Sequence, residues 1–123
     1  MFLPVLIVEG DPQLRSLIRV VLSRAGFRVL ETGDGVSALS KVQDLGGEIG
    51  VVVSSYSVPQ MDGATLASRV KEAFPQIPIV LLSCEANAPY CVGGDVFLSK
   101  PFPPSLLVAT VHRLFGMEAK QCV

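Results

Sequence analysis

A chain of 123 residues is about one domain's worth, and half of it is apolar, with a mean hydropathy of +0.52. Its uninterrupted apolar stretches, such as 5–8 and 51–53, fall far short of the roughly 20 residues a membrane span needs, so the apolarity points to strands covered on both faces. Ten Lys and Arg against eleven Asp and Glu leave a net charge of −1 with no block of like charges, which argues against nucleic acid or a membrane surface as partner. Residues 1–4 carry neither the basic start nor the cleavage site of a signal peptide, and the expected location is the cytoplasm. Cys84, Cys91 and Cys122 are an odd set without a CxxC pair, and His112 is the only histidine; a disulfide framework and a zinc site are both excluded. Cys84 reads as a small core residue, Cys91 and Cys122 as exposed thiols.

Residues 3–8 form a β-prone run, and Asp11-Pro12 supplies an N-cap followed by proline at the first helical position. Leu14, Leu17, Ile18, Val21 and Leu22 recur at helical spacing until Gly26. A second strand is expected over 27–31, a turn over 32–35, and a helix marked by Val36, Leu39 and Val42 that ends near Gly46-Gly47. The third strand is expected over 49–54, with 55–63 as a loop. Asp62 then caps a helix whose Leu66, Val70 and Phe74 face inward and which Pro75 closes. Strands over 77–82 and 95–99 follow, and Pro103-Pro104 lead into a last helix carrying Leu107, Val111 and Leu114. Alternation of this kind implies right-handed βαβ crossovers, a parallel sheet and three layers, with any ligand chemistry beyond the carboxyl ends of the strands. Polar residues fall at those ends: Glu9-Gly10-Asp11, Ser54-Ser55, Ser83 and Ser99-Lys100. Turns also require polar residues there, which is sufficient reason for Ser54 and Ser99. The domain is expected over 1–116, with 117–123 as a C-terminal tail.

Five pieces in order, spanning nearly the whole chain, carry a resemblance: 5–12 (VLIVEGDP), 33–39 (GDGVSAL), 59–63 (PQMDG), 78–83 (PIVLLS) and 100–102 (KPF). Together they resemble the receiver domain of two-component response regulators. The resemblance implies a flavodoxin-like, doubly wound five-stranded sheet in the order 2-1-3-4-5. It places Ser55 at the position of the aspartate that accepts a phosphoryl group. Glu9 and Gly10 stand at the acidic pair that helps to hold Mg²⁺, and Asp11 at the acidic residue that often follows. Ser57 would supply the metal site's carbonyl, Ser83 and Phe97 correspond to the switch residues, and Lys100 is the family's lysine, before a proline that receivers commonly hold cis.

Two departures follow from the residues. Forming an acyl phosphate requires a carboxylate nucleophile and a metal ion to offset the charge on the transferring group. A serine at 55 and a glycine at 10 remove two of three acids. A serine hydroxyl also needs a base, and His112, about nine residues into the last helix, lies on the order of 13 Å from the strand ends. On this reading no base serves Ser55. Glu9 with one carbonyl from Ser57 would hold Mg²⁺ weakly if at all, so no cofactor is expected, and Lys100 is free to pair with Glu9. Replacing both Ser55 and Gly10 by aspartate should rebuild the acids. Second, 83 to 100 is a spacing of only 17, and Pro89 with Gly93-Gly94 disfavours a helix there; the fourth helix is expected to be shortened or missing over 84–94.

The resemblance therefore implies a phosphorylation-independent interaction module of a two-component phosphorelay. Its partner would be a histidine kinase, an output domain or another receiver, a homodimer included. The alternative is a working receiver in which Ser54, Ser55 or a rearranged acid takes the phosphoryl group. No P-loop, GxGxxG or Ser-His-Asp set is present, which argues against an enzyme.

Overall fold

The computed structural model describes residues 3–83 and 94–121, the last six of them in their backbone only. β1 (Val5–Val8), β2 (Val29–Thr32), β3 (Val51–Ser55), β4 (Ile79–Ser83) and β5 (Val96–Ser99) alternate with α1 (Pro12–Arg24), α2 (Gly35–Asp44), α3 (Gly63–Ala73) and α4 (Pro104–Gln121). The sheet order is β2-β1-β3-β4-β5 and every pairing is parallel, as the alternation predicts. The expected shortening of a helix over 84–94, and the readings of Cys84, Cys91 and Cys122, lie outside the described residues but for Gly94.

The pleat explains why the strands are apolar without interruption. Leu6, Val8, Val52, Ile79 and Leu81 point to one face and pack under Ala38 and Val42 of α2 and Leu66, Ala67 and Val70 of α3. Val5, Ile7, Val51, Val53, Val80, Leu82 and Leu98 point to the other, against Ile18 and Leu22 of α1 and Leu107, Val111 and Leu114 of α4. Strands covered on both sides have no polar face to alternate with.

Element ends shift for local reasons. Pro4 and Pro78 have no N–H to give a ladder, so β1 and β4 start after them. Gly26, at φ 97°, turns the chain out of α1, and the Phe27 N–H closes on the Leu22 carbonyl; Phe27 is part of a helix cap, which delays β2 to Val29. Ser55 is not in a loop, as expected, but ends β3: it pairs with Leu82, and the next N–H, of Tyr56, still reaches the Leu82 carbonyl. Two of the periodic apolar residues, Leu17 and Val36, are exposed; helical spacing marks a face but not its width. Asp34, read as a turn residue, is the N-cap of α2, and Asp11 and Asp62 cap α1 and α3.

Candidate functional site

The pleat that builds the α1/α4 face also builds the site. Ile7, Val53 and Leu98 share that face, and two residues further along each strand stand Glu9, Ser55 and Lys100. Register completes the placement: Val8 pairs with Ser54, which sets Glu9 beside Ser55, and Ser83 pairs with Ser99, which sets Lys100 just past the end of β5. The Lys100 N–H donates to the Ser83 carbonyl at 2.7 Å, and the Lys100–Pro101 peptide is cis.

These three side chains form a closed set. The Ser55 hydroxyl donates to Glu9 Oε1. The Lys100 ammonium donates to Ser55 Oγ at 2.9 Å and to Glu9 Oε1 at 3.2 Å. The other carboxylate oxygen of Glu9 accepts the Asp11 N–H at 3.0 Å. Glu9 is 5% exposed and Ser55 1%, so one negative and one positive charge meet at a site largely withdrawn from water. Burying a carboxylate is tolerated only when it is paired and hydrogen-bonded, and both conditions hold. Among the described residues no buried side-chain nitrogen or oxygen lacks a partner.

The remaining expected residues are placed differently. Gly10 follows Glu9, and a Cβ there would stand 2.9 Å from Pro59 Cδ, so the loop after β3 already fills the space an added side chain would need. Asp11 is exposed, and its carboxylate accepts the Gln13 N–H at 3.0 Å as the cap of α1. Ser57 is exposed on the loop after β3. Ser83 and Phe97 follow the pleat of the opposite, α2/α3 face; Ser83 is buried and Phe97 half-buried against that face's core. Ser54 is buried, and its hydroxyl donates to the Ser55 carbonyl at 2.9 Å. His112 packs its ring on Phe27, with centroids 4.7 Å apart, beside the amino end of β2 and so at the far edge of the sheet.

The expectation that no base stands by Ser55 is corrected here: it weighed the lone histidine, whereas the acceptor of the hydroxyl is the carboxylate of Glu9. Arg15 was not singled out by sequence reasoning. Its guanidinium donates to the Glu9 carbonyl at 2.8 Å and lies 3.8 Å from Glu31, which also pairs with Arg19 at 3.4 Å. The i, i+4 spacing of Arg15 and Arg19 beside a strand-end acid was the available signal. Asp34, with its carboxylate on the N–H and hydroxyl of Ser37 at 2.7 and 2.9 Å, is held below the usual carboxylate range, chiefly by that backbone bond.

A divalent ion is a poor match for this donor set. Mg²⁺ requires an octahedron of hard oxygens and usually more than one charged ligand. Here the buried carboxylate of Glu9 has both oxygens engaged, position 10 offers none, Asp11 is turned to a helix end, and Ser55 is neutral. What the arrangement does is fix the carboxyl ends of β1, β3 and β5 to one another.

The chain matches the family described as the response regulator receiver domain over residues 5–112. It is 35% identical over 120 residues to the sensor kinase CckA of Brucella abortus, covering 93% of this chain and 13% of that protein. It is 34% identical over 113 residues to the DNA-binding response regulator MtrA of Mycolicibacterium smegmatis, covering 88% of this chain and 48% of that protein. The chain thus spans less than half the length of these curated relatives. Among solved structures, a receiver domain protein from Clostridium thermocellum superposes with a TM-score of 0.91 over 96% of this chain and 98% of its own, at 16% identity. A response regulator receiver protein from Sinorhizobium medicae does so with 0.86 over 95% and 97%, at 27% identity.

Proposed function

This chain belongs to the response regulator receiver domain family, and on that premise we propose that it serves a two-component pathway as an interaction module that needs no aspartyl phosphate. The observation that carries the reading is the state of Ser55. The position at which receivers hold their acceptor aspartate has a neutral hydroxyl, 1% exposed, tied to Glu9 on one side and Lys100 on the other. A serine in that setting is a weak nucleophile. The carboxylate that accepts its proton is already shared with an ammonium, and the hydroxyl oxygen already accepts from that ammonium. The divalent ion that phosphoryl transfer calls for finds no adequate ligand set. With the phosphoryl chemistry removed, what the domain offers a partner is its surface. The partner is of the two-component kind: a histidine kinase, an output domain or a second receiver. Binding, and not catalysis, is its activity.

One contact favours the alternative, in which Ser55 itself takes the phosphoryl group: the hydroxyl points at a carboxylate. Intact mass measured after incubation with acetyl phosphate and Mg²⁺ separates the two. The expected result is an unmodified chain. A stoichiometric gain of one phosphoryl group overturns the reading, and its resistance to hydroxylamine would assign it to a serine ester and not an acyl phosphate.

A further inference from the structure

We infer that Lys100 is the resident cation of this site: an ammonium carried by the chain itself that balances Glu9 and makes the fold indifferent to divalent metal. The inference concerns the same site as the proposed function and rests on that reading only in treating Ser55 as an unmodified hydroxyl.

Three observations carry it. First, the ammonium is the positively charged partner that the structure gives Glu9's carboxylate, at 3.2 Å, and it stands where three strand ends meet. Second, Ser55 is suited to this cation in a way an acid would not be. A hydroxyl donates to Glu9 while accepting from Lys100, so the three groups close a ring with one charge of each sign. A carboxylate at 55 could only accept, and two buried acids would then share one ammonium. Third, the route of the lysine is built. Its backbone is anchored to Ser83, and its stem lines an apolar groove of about 400 Å³ with Leu14, Ile18, Phe102 and Leu107. The methylenes lie along apolar surface and the head reaches the polar ring. Serine at 55, glycine at 10 and lysine at 100 are therefore one arrangement. The first two residues lower the negative charge to what a single ammonium neutralises.

The test is a double-mutant cycle on thermal unfolding, with and without Mg²⁺, using Lys100→Gln, Glu9→Gln, the double variant and Lys100→Arg. Wild type is expected to melt at the same temperature in Mg²⁺ as in NaCl of equal ionic strength. Lys100→Gln leaves Glu9 buried without a counter-charge, and its midpoint should fall by about 10 °C. The double variant removes both charges and should regain more than half of that loss, while Lys100→Arg keeps the charge and should lose less than Lys100→Gln. Additive losses in the cycle would mean that Lys100 contributes packing alone, and would overturn the inference. So would a Mg²⁺-dependent rise in the wild-type midpoint. If Lys100→Gln is too unstable to purify, the Mg²⁺ titration of wild type and the stability of the double variant decide. A phospho-adduct at a residue other than Ser55, without a Mg²⁺-dependent midpoint, would defeat the proposed function and leave this inference standing, whereas one on Ser55 would overturn both.

Discussion

Glu9 and the three aspartates Asp11, Asp34 and Asp62 stand at the same end of the molecule, because in a parallel αβ fold the carboxyl ends of strands and the amino ends of helices coincide. They are held in opposite ways. Asp11 and Asp62 are exposed and Asp34 half-buried, and all three accept N–H groups that α1, α2 and α3 leave unpaired in their first turns. Each acts alone, through a bond to Gln13, Ser37 or Thr65. Glu9 is buried, and its charge is tolerated only through Lys100, Ser55 and the Asp11 N–H acting together. A rim of independent caps thus surrounds a coupled centre. The lesson is that sharing one end of a domain does not join these acids into one acidic site: the three aspartates serve their own helices, and Glu9 is neutralised from within.

That contrast can be broken at the centre first. Glu9→Ala strands the Lys100 ammonium beside Ser55 and should cost about 3 kcal/mol, read as a lowered urea midpoint. Gly10→Asp tests the space beside it. Its Cβ would approach Pro59 Cδ to 2.9 Å, so the ring must move, and overpacking of this kind costs about 1–3 kcal/mol. The paired replacement of Gly10 and Ser55 by aspartate therefore adds steric as well as charge repulsion, and it should melt below the Ser55→Asp single variant in the absence of metal. At the rim, Asp62→Ala removes the acceptor of the Thr65 N–H and should cost about 1 kcal/mol, leaving the Glu9–Lys100 coupling unchanged in a double-mutant cycle.

The smallest effect is one of pH. Asp34's carboxyl is lowered by the Ser37 N–H and hydroxyl, so its contribution is present above the ordinary carboxylate range. It fades as pH falls through the depressed value in the folded state, because there the native chain must take up the proton. The difference in midpoint between wild type and Asp34→Ala should therefore be constant near neutrality and shrink below about pH 4. A difference that grew on acidification would show that the cap is not what holds the α2 start.

Most of the fold was legible because it follows from short-range rules. Alternating apolar runs and helical stripes, punctuated by Asp11, Gly26, Asp62 and Pro75, are enough to set strand and helix order, and parallel pairing follows from the crossover length. The misplacements were equally physical. Ser55 looks like the first residue of a loop because it is polar, but ladder pairing to Leu82 keeps it in β3. Leu17 looks like core because it is apolar at the right spacing, but it lies beyond the width of the face that Ile18 and Leu22 bury. Arg15 carries no local mark of its bond to a carbonyl six residues earlier.

By itself the amino-acid sequence determined the layer order, the caps of α1 and α3, the resemblance to receivers and the residue types at each strand end. These depend on contacts within a few residues or on the period of the pleat. It also held a parity that went unread: Ile7, Val53 and Leu98, apolar on one face, are each followed two residues later by Glu9, Ser55 and Lys100. The resemblance already implied that the three converge with Lys100 paired to Glu9; only the tertiary structure decided that the Ser55 hydroxyl closes them into a ring. The partners are 46 and 91 residues from Glu9 along the chain. Their contact depends on the stagger of three strands and on the reach of one lysine stem, and no local pattern encodes either distance.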